Sequence, residues 1–136
     1  MVGRGLRSWA KGTKAMMGSA TVRAAAFVVA MGATAASAAE FGAIAYSNTT
    51  GSYGYSHNYA TRGQAERVAQ ANCLAYARDC RVIVYFYNAC AALAVGNSFG
   101  YGYGYAPGPK QSRSIALANC RVNDRGCQVV RTVCSR

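Results

Sequence analysis

Acid is scarce in this 136-residue chain, with four Asp or Glu against fifteen Lys or Arg, and His57 is its single histidine. The carboxylates are Glu40, Glu66, Asp79 and Asp124. So small a set leaves little for general acid–base catalysis, which needs positioned groups to move protons. One histidine also excludes sites built on histidine clusters, and structural zinc favours Cys pairs two to four residues apart. No Gly pattern fits a phosphate-binding turn, because Tyr101–Tyr105 alternates as a strand does and lacks the strand–loop–helix context. The longest apolar run is too short to cross a bilayer core of about 30 Å. These absences lead to an expectation of no enzyme activity, no metal and no cofactor.

The first 38 residues carry a different composition from the rest. Arg4, Arg7, Lys11, Lys14 and Arg23 precede the uncharged Ala24–Ala36, and Ala36-Ser37-Ala38 is a small-x-small site. That layout is a secretory signal peptide over 1–38, cleaved after Ala38, with Met16 or Met17 as alternative starts. The expected location is secreted or periplasmic, with no transmembrane segment after cleavage. Residues 39–136 then form one domain with ten Lys or Arg and four Asp or Glu, so the formal charge falls from +11 to +6.

Within that domain the sequence repeats. Thr61–Cys73 (TRGQAERVAQANC), then Cys80 and RVIVYFY, returns 47 positions later as Gly108–Cys120 (GPKQSRSIALANC), then Cys127 and QVVRTVC. Eight of 27 positions are identical, among them Asn72/Asn119, Cys73/Cys120, Arg78/Arg125 and Cys80/Cys127. Upstream, Phe41–Asn48 falls on Cys90–Asn97, and Tyr53-Gly54-Tyr55 on Tyr101-Gly102-Tyr103. Two copies, about 41–89 and 90–136, imply one pseudo-symmetric domain.

Each copy reads strand, turn, strand, helix, strand. Phe41–Tyr46 and Tyr53–Tyr59 are β-prone runs around a Ser/Asn/Thr/Gly turn. Thr61 with Gln64 is a capping box; in the second copy Gly108 takes the cap and Pro109 follows where its missing N–H costs nothing. Ala65, Val68, Ala69, Asn72 and Cys73 share one helix face, as do Ser112, Ile115, Ala116, Asn119 and Cys120. These faces are small, which calls for bulky partners. The expected fold is α+β: a duplicated β-β-α-β unit, a mixed sheet of about six strands and two short helices, stapled by three disulfides. The crossover through each helix would set its flanking strands parallel in one sheet.

Six cysteines in an exported chain of this size read as three bridges, with fifteen possible connectivities. The repeat pairs Cys73 with Cys80 and Cys120 with Cys127, leaving Cys90 and Cys134. Zinc is the competing reading, disfavoured by spacing and by the lone histidine.

Phe41-GAIAYS, the Ala-rich helix ending in Cys73, the run from Cys80 to Val95 and the terminal Val-Cys134-Ser-Arg resemble a bacterial secreted family, domain of unknown function 4189 (DUF4189). The resemblance covers most of Phe41–Arg136. It implies export, a compact domain and the bridges Cys73–Cys80 and Cys90–Cys134; Cys120–Cys127, often lacking in members, rests on the repeat. Members often carry Trp where this chain has Tyr53 or Tyr55. No catalytic residues transfer.

Two groups are candidates for binding. Tyr53, Tyr55, His57 and Tyr59 lie on one face of their strand, as do Tyr101, Tyr103 and Tyr105, because side chains alternate with period two. Their rings either fill the core over the small-residue helices or form an exposed platform for sugar rings or a partner protein. Arg78 and Arg125, in the loops after each helix, either complement helix C-termini or join Arg81 and Arg121 in supplying forks for anionic groups. The leading expectation is a non-enzymatic binding module for an acidic glycan, lipid headgroup or protein of the cell envelope or host, with nucleic acid excluded by export. A structural envelope protein, or a small hydrolase, is the alternative.

Overall fold

The computed structural model describes residues 40–136; the signal peptide expected over 1–38 and its expected cleavage site lie outside the described residues. The element order is β1 (Phe41–Tyr46), β2 (Tyr53–Tyr59), α1 (Arg62–Leu74), β3 (Arg81–Tyr87), β4 (Cys90–Val95), β5 (Tyr101–Ala106), α2 (Pro109–Asn123) and β6 (Gln128–Cys134). The duplicated β-β-α-β unit is therefore present twice. At α1 the Thr61 hydroxyl accepts the Gln64 N–H at 3.2 Å, whereas Gly108 caps α2 with no side-chain bond and Pro109 follows it.

The single mixed sheet is corrected to two antiparallel sheets of three strands, ordered β2-β1-β3 and β5-β4-β6. Both strands that flank a helix pair with the same central strand, one on each side, so they run parallel without touching. The reason lies in the central strands. β1 alternates Ala43 and Ala45 with Ile44 and Tyr46, and β4 alternates Ala92 and Ala94 with Ala91 and Leu93, all buried. Each strand thus has a small side for a helix and a larger side that also needs cover. A flat six-stranded sheet would leave the second side in water. Instead Ile44, Tyr46, Val84 and Phe86 of the first sheet meet Ala91, Leu93 and Val133 of the second. Burying each such large side chain is worth about 1.5–3 kcal/mol. The layers are α1, first sheet, second sheet, α2.

The bulky partners expected over the helices are also corrected. At the centre of each contact Ala65, Ala69 and Cys73 pack on Ala43 and Ala45, and Ala116 and Cys120 on Ala92 and Ala94; bulky side chains stand only at the margins, Phe41, Tyr59 and Val82 in the first copy and Val129 in the second. The glycines of the Tyr-Gly strands face the helices. A methyl group at Gly102 would stand 2.6 Å from the Ala116 carbonyl oxygen, and one at Gly104 2.7 Å from the Ala116 nitrogen. Gly54 likewise faces the backbone of α1 at Asn72. The rings of Tyr53, Tyr55 and Tyr101 accordingly turn to the core between the sheets, while Tyr59, beyond the register shift in β1–β2, packs on the α1 side.

Three disulfides fasten this frame: Cys73–Cys80, Cys120–Cys127 and Cys90–Cys134. The two short bridges tie each helix end to the next strand, and the long one joins directly paired residues of β4 and β6. By loop entropy they are worth roughly 2.5 kcal/mol each and roughly 4 kcal/mol respectively. Bridges of this number mark a domain that folds outside the reducing cytoplasm.

Candidate functional site

One end of the sandwich gathers both hairpin turns, both Cys-x6-Cys loops and the four expected arginines. Arg81 opens β3 opposite Tyr46, the last residue of β1, and Arg78 lies in the loop before it. Arg121 lies in the last turn of α2, and Arg125 follows it, before Gln128 pairs with Val95 at the end of β4. The copies meet at this end: the Tyr46 hydroxyl donates to the Phe99 carbonyl at 2.9 Å, the Tyr46 and Tyr101 rings stand 4.8 Å apart, and Arg81 and Tyr101 line one hollow. Burial, with Tyr101 and Asp124 nearby, pushes the Tyr46 pKa up to about 12. All four arginine side chains are exposed.

The carboxylates at this end are spent on structure. Asp79 accepts Ser47 Oγ at 2.5 Å and Thr49 Oγ1 at 2.6 Å, tying the first Cys loop to the β1–β2 turn. Asp124 accepts the backbone N–H of Arg125 at 2.7 Å, and of Ser98 and Gly100 at 2.8 Å, tying the second loop to the β4–β5 turn. The Ser47 hydroxyl, then that of Thr49, holds Asp79 below the usual carboxylate range; the Arg125 amide, then those of Ser98 and Gly100, does so for Asp124. The two acids occupy different places in the repeat yet do the same work. Glu66 pairs with Arg62, whose guanidinium also lies over the Tyr85 ring, and Glu40 precedes β1. Among the described residues no three of His, Cys, Asp or Glu come together as a metal site requires, and every cysteine is bridged.

The aromatic candidates divide. Tyr53, Tyr55 and Tyr101 border the core between the sheets, and the Arg131 guanidinium covers Tyr55 at 3.7 Å. Tyr103 is 41% exposed, and His57 is exposed on β2. A groove runs beside each of β2 and β5, against its helix, with volumes of about 760 and 740 Å³. Three asparagines close the strand edges there. Asn72 Nδ2 donates to the Tyr55 carbonyl at 3.1 Å, Asn119 to that of Tyr103 at 2.9 Å, and Asn123 to that of Tyr101 at 2.9 Å. Sequence reasoning put Asn72 and Asn119 on the packed helix face, but both are exposed at its margin. Their identity in the two copies was the available signal. Arg131 and Tyr76 carried none.

The fold and its site define a small, duplicated, disulfide-stapled domain with a basic end and two edge grooves. The chain belongs to the family described as Domain of unknown function (DUF4189), whose profile matches residues 41–134. It is also similar to a solved structure, the NMR structure of Rv1813c from Mycobacterium tuberculosis, at 27% identity over 70% of this chain and 74% of that one, with a TM-score of 0.45. No curated protein sequence matches it.

Proposed function

We propose that this is an exported, non-enzymatic binding domain whose arginine-bearing end takes a partner presenting clustered anionic oxygens. One observation carries the reading: Arg78, Arg81, Arg121 and Arg125 share one end, while Asp79 and Asp124 there are turned onto hydroxyls and amides of the turns. The guanidiniums of Arg62 and Arg131 are occupied by aromatic rings, and that of Arg136 donates to the Pro107 carbonyl. Arginine forks match carboxylate and phosphate geometry. The signal peptide over 1–38, cut after Ala38, would deliver the domain to an envelope or a host surface, where acidic glycans, lipid headgroups and acidic proteins supply such groups. Asp79 and Asp124 are engaged and all six cysteines are bridged, which leaves neither those carboxylates nor a thiol to a hydrolase.

The test is binding of the oxidised protein to immobilised polygalacturonate and, separately, to vesicles of anionic phospholipid, at low and high salt. Binding to either should weaken steeply with salt, since charges beyond about 8–10 Å are screened near physiological ionic strength. R78A/R125A should lose affinity and keep its melting temperature. The arm that responds names the source of the anion. Salt-independent binding, or none in either arm, refutes the proposal.

A further inference from the structure

Among the described residues the outer strands β2 and β5 have no neighbouring strand on one side. An open edge ordinarily invites another strand, which uses its free carbonyls as acceptors. Here the outward carbonyls of Tyr55, Tyr101 and Tyr103 are already filled by Asn72, Asn123 and Asn119. A peptide adding to either edge would first have to displace these amides. Each closed edge nevertheless borders a groove of about 760 or 740 Å³, within the usual range for small-ligand sites of about 300–1,000 Å³.

The lining is chemically specific. Neither groove is lined by an Asp, Glu, Lys or Arg. Tyr76 brings the exposed ring of the first, beside Tyr59 and Asn72, and Phe99 and Tyr103 bring those of the second, beside Asn119 and Asn123, while the rings of Tyr53, Tyr55 and Tyr101 pack toward the core between the sheets. Aromatic faces accept the C–H faces of pyranose rings, and phenol and amide groups serve their hydroxyls. Each asparagine spends one N–H on the strand, which orients its amide toward the groove margin. Tyr76 is 77% exposed, so its ring stands outside the core and open to a ligand. We propose that the two grooves are sites for neutral linear saccharides, one segment to each copy. The grooves reach the turns of the basic end, and the uncharged ligand proposed for them is told from the anionic partner by its indifference to salt.

The test uses the full chain produced in an oxidising compartment, labelled with nitrogen-15, and titrated with chitotetraose and with cellotetraose. At least one saccharide should move the backbone amides of Gly54, Tyr76 and Gly102 and the side-chain amides of Asn72 and Asn119, independently of salt. Y76A should weaken the first groove about tenfold, the worth of one stacked ring at about 1.4 kcal/mol, and leave the second groove and the melting temperature unchanged. Y103A should do the converse. No shifts with either saccharide up to about 10 mM, a weak-affinity ceiling, would overturn the proposal. So would shifts confined to residues outside the grooves, or an unaltered affinity in both variants. Salt-sensitive shifts at Arg78 or Arg125 would not count for it, since those belong to the anionic partner.

Discussion

Gly102→Ala should be among the most damaging single-methyl changes this domain can suffer. The added Cβ would lie 2.6 Å from the Ala116 carbonyl oxygen and closer still to the Cys120 amide nitrogen, where ordinary contact begins at 3.4 Å. The Cys120 nitrogen, the nearer of the two, sets the relief needed at about 1.3 Å, and the obstructing atoms are helix backbone, which no rotamer change can move. The helix is also held at its end by Cys120–Cys127. Overpacking costs about 1–3 kcal/mol, and with no side chain able to yield the upper figure applies. For a domain of this size about 3 kcal/mol lowers the melting temperature by roughly 12–24 °C. Gly63→Ala is the counterpart. It sits within exposed α1 with only the Arg67 guanidinium 3.4 Å away, so it should gain about 0.5–1 kcal/mol. Thermal unfolding of the oxidised protein by circular dichroism measures both. A Gly102→Ala protein melting within about 3 °C of the parent, set against that scale, would show that the strand–helix contact is not as close as described.

Three further outcomes follow from named groups. Asp79 and Asp124 have folded pKa values below the unfolded carboxylate value of about 3.9. The stability they contribute is therefore present above that pH and is lost as pH falls through the folded values; D79N/D124N should flatten the acid limb of a melting-temperature profile. Tyr46, raised to about 12, contributes stability that is present below about 10 and lost as pH rises toward 12. Its phenol should give a step near pH 12 in an absorbance titration, and Y46F should remove that step and about 1 kcal/mol of stability with the lost bond to Phe99. C73S/C80S should cost roughly 2.5 kcal/mol and C90S/C134S roughly 4, measured by denaturant midpoint.

Duplication was legible because cysteine spacing and helix capping are local and repeat together. The layering was not. Ala43/Ile44 and Ala92/Leu93 show that both strands are buried on two sides, but only the meeting of the copies decides that a second sheet covers the larger side. In Tyr101–Tyr105 the rings drew attention, while the packing information lay in Gly102 and Gly104, which admit the helix backbone. Asp79 and Asp124 looked unrelated because they are offset in the repeat; their shared role depends on where the two turns come round to meet them. The common end of Arg78, Arg81, Arg121 and Arg125 depends on the same long-range fact, the Tyr46–Phe99 contact between copies.

The central functional claim is that this end is where a partner binds. The most direct measurement is a chemical-shift map of the nitrogen-15-labelled, oxidised protein titrated with a short polygalacturonate, repeated at high salt. The account predicts shifts concentrated in residues 75–81 and 121–127 that vanish as salt rises, with Asn58, Asn88 and Ser135 at the opposite end unmoved. Shifts centred on that opposite end, or shifts that survive high salt, would contradict it.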